Sequence, residues 1–159
     1  MRYTPNKFQQ AFLLLVESSL EFLASNAMQL KSAGLSSYDY KMLRVQSHRR
    51  AGHTIAALML ADSTTLPILF IVPSTPLQQH LEQELVKHVY DTAHIKIVNI
   101  ATTRHDPSAF FTRHDPPKWK FVIVDNIVLL NGYDSKMRSN YTDLRDYLLP
   151  KTDLFIELQ

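Results

Sequence analysis

Residues 68–72 read Ile-Leu-Phe-Ile-Val, an apolar run with no polar interruption. A strand with one wet face alternates apolar and polar side chains. A short run that is apolar at every position asks for cover on both faces, which is the environment of a parallel sheet between helices. Strand-length apolar runs near 42–47, 95–100, 121–125 and 154–158 make the same demand. Between most of them lie segments of helical period, and strands alternating with helices predict an α/β fold with crossover connections.

The longest helical pattern comes first. Phe8, Phe12, Leu15, Val16, Leu20, Leu23, Ala27 and Leu30 recur at helical spacing over 8–31, opened by Thr4-Pro5-Asn6 and closed by Gly34. Further helices are predicted from Ile55 to Ala61, over 76–90 and over 140–149. The expected architecture is a three-layer α/β sandwich with a mainly parallel five-stranded sheet, preceded by a long N-terminal helix.

With 159 residues, the chain reads as one domain, 1–159, with an N-terminal helical segment over 1–35 and a sheet-bearing part over 41–159. Cysteine is absent, which excludes a disulfide framework, a thiolate zinc site and a cysteine nucleophile. Glu17 and Glu21 interrupt the most apolar stretch, so the expectation is a soluble, cytoplasmic protein without a membrane partner. The net charge of +2 is too mild for a general polyanion binder, so only a local patch could act as one.

Such a patch exists. Between Asp39 and Asp62 there is no acidic residue, while Lys41, Arg44, Arg49 and Arg50 are basic and His48 and His53 lie beside them. The segment Ser47-His48-Arg49-Arg50-Ala51-Gly52-His53-Thr54 joins a predicted strand to a predicted helix. A phosphate-binding loop needs that setting: backbone N–H groups in a tight turn, then the positive end of a helix dipole. Against the pattern G-x-x-x-x-G-K-[ST], Gly52 and Thr54 match, while Ser47 stands for the first Gly and His53 for the Lys. Anion binding is the favoured reading, and a solvated basic turn is the plainer one.

Other features carry less. Thr103-Arg104-His105-Asp106-Pro107 recurs as Thr112-Arg113-His114-Asp115-Pro116, which reads as a surface loop, or as a paired loop touching a phosphate or a metal. Phe110, Phe111, Trp119, Tyr133, Tyr141 and Tyr147 are packing residues or base-stacking ones. Trp119 between Lys118 and Lys120 best suits a single strand. His80 and His88 read as solvated positions on a helix.

Three stretches then line up in order. Leu69-Phe70-Ile71-Val72-Pro73-Ser74-Thr75-Pro76-Leu77-Gln78-Gln79 resembles the second-strand motif of superfamily 2 helicases and phage terminase large subunits. Phe121-Val122-Ile123-Val124-Asp125-Asn126 resembles their acidic strand end, and Pro5-Asn6-Lys7-Phe8-Gln9-Gln10 is similar to their N-terminal glutamine motif. The resemblance covers about residues 5–158. It implies a P-loop-type, RecA-like sheet, a viral source, ATP and Mg²⁺ as ligands, Thr54 and Asp125 in the metal shell, and Gln9 on adenine. It further implies that the strand before the loop neighbours the strand ending at Asp125.

The departures bear on activity. His53 replaces the Lys that neutralises phosphoryl charge, and Asn126 replaces the Glu that would activate water. Loss of one preorganised donor costs about 10²–10³ in rate, and loss of a general base about 10²–10⁴. The expected function is therefore a degenerate P-loop binding protein for nucleotide, nucleic acid or a protein partner, with Ser47 to Thr54 cradling phosphate. An atypical ATPase using His53, Thr54, Asp125 and an arginine, with Asp125 and Asn126 as the catalytic candidates and a partner supplying missing groups, and an interaction module acting through the N-terminal helix, are the alternatives.

Overall fold

The computed structural model describes residues 4–46, 52–102, 106–125 and 135–159. Ser47 to Ala51, Thr103 to His105, Asn126 and Tyr133 lie outside the described residues. The described elements are, in chain order, α1 (Lys7–Ser32), α2 (Ser37–Lys41), β1 (Met42–Val45), α3 (His53–Asp62), β2 (Ile68–Val72), α4 (Thr75–His88), β3 (Ile95–Asn99), β4 (Trp119–Asp125), α5 (Ser135–Leu148) and β5 (Thr152–Leu158). Short 3₁₀ turns follow β3, precede β4 and lead into β5.

The expected α/β sandwich forms. All five strands are parallel, in the order β1-β5-β4-β2-β3, consistent with a RecA-like sheet. One expectation is corrected: β1 and β4 are not neighbours, because β5 pairs with both and lies between them. After β4 the chain passes through α5 on one face and returns as β5 between β4 and the edge strand β1. The helix expected over 140–149 begins earlier, at Ser135.

Alternation along β2 sorts its side chains between the layers. Ile68, Phe70 and Val72 face the core made with α1, α3 and α4, while Leu69 and Ile71 face the core made with α5. Every residue of β2 is buried, which is why its sequence carries no polar position. Burying one such side chain contributes about 1.5–3 kcal/mol. Helix α3 is buried over Ala56–Ala61 because it packs on the sheet with α1 and α4 against it in the same layer. Its three alanines, all fully buried, let those neighbours approach closely.

Helix α1 is set at both ends by local hydrogen bonds. Asn6 Oδ1 accepts from the Gln9 N–H at 2.8 Å, and Gln9 Oε1 accepts from the Asn6 N–H at 2.9 Å, a reciprocal capping box. At the other end Gly34, with φ +78°, and Leu35 return N–H groups to Lys31 and Leu30. The helix buries Phe12, Val16 and Leu23, and leaves Leu14, Leu15, Phe22 and Met28 exposed. Contrary to the reading of its two glutamates as interruptions, this helix is long and apolar enough, by length and composition, to cross a membrane. Mostly buried core helices and signal sequences near an N-terminus share that property; this helix is buried only along the stripe of Phe12, Val16 and Leu23 and contacts α3.

A buried acid sits in the second core. Glu157 on β5, 1% exposed, accepts from Arg44 Nε at 2.7 Å and from the Tyr141 hydroxyl. These two donors satisfy a carboxylate that would otherwise be costly so deep in the fold.

Candidate phosphate site at the carboxyl edge of the sheet

Because the strands are parallel, their C-terminal ends share one edge, and polar residues gather there. Helix α3 starts just past β1. Its N-cap, Gly52, takes a left-handed conformation with φ +89° and ψ 38°, and its carbonyl accepts the first helical bond from Ala56 N–H at 2.8 Å. As a glycine, the N-cap has no side chain of its own to cap this end. By helix geometry the N–H groups of the first turn point outward from it, where the dipole favours an anion.

An ideal Cβ built on Gly52 would lie 2.7 Å from Gln9 Nε2. The left-handed backbone favours glycine, and a side chain there would also have to displace the buried amide of Gln9. The capping box thus holds Gln9 against the start of α3. Phe8 packs edge-on to the His53 ring, with centroids 5.2 Å apart.

Thr54 on α3 and Asp125 at the end of β4 meet directly: Thr54 Oγ1 donates to Asp125 Oδ2 at 2.7 Å. Burial pushes the Asp125 carboxyl up, an effect opposed by the Thr54 hydrogen bond and by the charges of His53 and His80. Burial also lowers the pKa of His53, with Asp125 pulling the other way. His53 thus lacks the fixed charge that a Lys would carry at neutral pH. Along the same edge, Asn99 Nδ2 donates to Thr75 Oγ1 at 3.1 Å at the start of α4.

The structure brings together Gln9, Gly52, His53, Thr54 and Asp125. The remaining proposed loop residues, Ser47, His48, Arg49, Arg50 and Ala51, and the proposed Asn126, lie outside the described residues. Two contributors were not legible in the sequence. Phe8 carried no signal beyond its helical spacing. His80, read as simply solvated, is exposed but close enough for its charge to act on Asp125. His88 is likewise not simply solvated, since its Nε2 lies 3.0 Å from Glu84 Oε2.

Thr54 and Asp125 supply hard oxygen donors suited to Mg²⁺, which typically takes one or two carboxylates and completes its shell with water and phosphate. Among the described residues no group of three His, Cys, Asp or Glu is arranged to hold a metal. That includes the described parts of the repeated pentapeptide, whose copies do different local work. Asp106 accepts from Ser108 N–H and caps a 3₁₀ turn, while Asp115 binds Lys96 Nζ at 2.6 Å.

The stacking reading of Trp119 is overturned. Its ring is 3% exposed, within the core against α5, because the first residue of β4 turns inward while its flanking lysines reach Asp153. Phe111 stacks on Tyr147 at 5.8 Å, Phe110 packs on the same core, and Tyr141 is buried. No family model matches the chain, and no curated protein matches it.

Proposed function

We propose that the chain is a degenerate P-loop binding protein that takes the phosphate of a nucleotide or a nucleic acid at the start of α3, with little or no hydrolysis of a bound nucleotide. The contact of Thr54 with Asp125 carries this reading. It joins a hydroxyl at the start of a helix to a carboxylate at the end of a central strand, where a phosphate-bound Mg²⁺ would need both. The left-handed Gly52 supports it by presenting the first-turn N–H groups of α3, and the adjacent Gln9 amide adds a directional donor. Arg49 and Arg50 would add guanidinium forks for phosphate oxygens. When bound, Mg²⁺ would neutralise phosphate charge. Thr54 and Asp125 would hold and orient it.

The absence of Lys and Glu at positions 53 and 126 argues against efficient turnover. The retained Thr54–Asp125 couple favours a second reading, an atypical ATPase whose missing groups come from a partner. The deciding experiment is an ATP titration with and without Mg²⁺, run beside a single-stranded DNA titration and a phosphate-release assay. Mg²⁺-dependent binding without release supports the binding protein. Release that disappears in Asp125→Ala supports the ATPase. No binding of either ligand defeats both.

A further inference from the structure

A groove runs beside α1 at the other edge of the sheet, where β1, β4 and β5 begin. Its deeper end encloses about 340 Å³ and contains Lys41, Lys118, Lys120 and Asp153. Lys118 Nζ lies 2.7 Å from Asp153 Oδ1, Lys120 Nζ lies 3.3 Å from Asp153 Oδ2, and Lys41 Nζ donates to the Thr152 carbonyl at 3.0 Å. Two ammonium groups thus share a single carboxylate and the third donates to a neutral carbonyl, leaving an excess of positive charge at a partly closed end.

The facing wall is apolar. Leu20 and Leu23 of α1 form it, and the short side chains of Ala24 and Ala27 leave the space open. Leu23 and Tyr40 also line a second hollow of about 230 Å³, whose other walls include Phe22, Leu43 and Leu154. The Ser19 hydroxyl in it already donates to the Leu15 carbonyl. A bound peptide would bring an N–H and a C=O with every residue, each needing a partner. An alkyl chain brings none.

We propose that this groove binds a single-chain anionic amphiphile. Its carboxylate or phosphate head sits among Lys41, Lys118 and Lys120, and its tail lies against Leu20 and Leu23 of α1, over Ala24 and Ala27. The site is separate from the phosphate site: it lies at the amino ends of the strands, whereas Thr54 and Asp125 meet at the carboxyl ends. Charge selects the head and apolar area holds the tail, so neither a short anion nor a cationic amphiphile satisfies both ends.

The test is calorimetric titration of the full chain with dodecanoate below its micellar concentration. Butanoate, dodecyltrimethylammonium, an acidic peptide and vesicles of anionic phospholipid are run as parallel arms. Saturable binding of dodecanoate, weaker by about tenfold or more for Lys118→Glu and lost in Ala27→Trp, is the expected result. Both substitutions are at exposed positions, and circular dichroism confirms that the variants fold. Pyrophosphate should not compete. Equal binding of the cationic amphiphile, or unchanged binding by both variants, overturns the proposal. Tighter binding of the acidic peptide replaces it with a protein-docking groove. Binding to vesicles without binding to free dodecanoate replaces it with a membrane-facing surface.

Discussion

The side-chain amide of Gln9 fills the space in which a side chain at position 52 would begin, with Nε2 only 2.7 Å from where a Cβ on Gly52 would stand. This ties the first turn of α1 to the first turn of α3, two segments far apart in the chain. The capping box fixes Gln9 on one side, and the left-handed backbone fixes Gly52 on the other.

Gly52→Ala should therefore destabilise the protein by about 1–3 kcal/mol, combining left-handed strain with displacement of Gln9. Gln9→Ala in the same chain should recover part of that loss by removing the obstructing amide. A double-mutant cycle by chemical denaturation reads the coupling directly. Strict additivity of the two changes would show that the residues do not meet.

Asp125 makes stability depend on pH in a defined direction. Burial raises its folded pKa above the ordinary value of 3.8, so the folded chain holds this proton more tightly than the unfolded one. The favourable contribution is complete below 3.8 and is lost as pH rises through the raised folded value. Asp125→Asn keeps an acceptor for Thr54 and never ionises. Its stability relative to the natural chain should increase as pH climbs through that window and then level off. His53, whose pKa burial lowers, acts in the same direction on the difference, because removing the Asp125 charge lowers it further. Parallel stability curves for the two proteins across the window would refute the assignment.

Hydrolysis should respond to restoration more than to removal. The natural chain is expected to release no measurable phosphate from ATP, while His53→Lys with Asn126→Glu should bring turnover into range. A recovered electrostatic donor alone is worth about 10²–10³ in rate. Asp125→Ala in the restored background should abolish the gain. Robust turnover by the natural chain would instead establish an active enzyme.

Arg49→Ala with Arg50→Ala should weaken ATP or single-stranded DNA binding at least tenfold, about 1.4 kcal/mol. The dependence on salt separates the two ligands. A polyanion releases several counterions on binding and gives a steep slope, whereas a mononucleotide gives a shallow one. A double variant that binds both ligands as well as the natural chain would remove the arginines from the site.

The five strands and the long first helix were legible in the sequence, because periodicity reports how each segment divides its surface between core and solvent. Ile68–Val72 reads as doubly covered, and it is. The helix ends at Asn6 and Gly34 were equally local, since each partner lies within a turn or so, whereas the resemblance assigns Gln9 only to adenine and its place in the capping box was not legible. Strand order was not local. Nothing in the residues of β5 marks it for insertion between β1 and β4, because that place is decided by which packed layers close the gap. The same limit explains Glu157, which lies in an apolar run and is tolerated only because Arg44 and Tyr141 arrive from distant segments. It explains Trp119 as well: flanking lysines describe its neighbours along the chain, while burial depends on α5 covering it. The candidate site divides in the same way. Gly52, Thr54 and Asp125 were recognisable as residue types at suitable positions, but their meeting with one another and with Gln9 required the tertiary structure. A hydrogen bond between residues far apart in the chain exists only once the elements that carry them have packed.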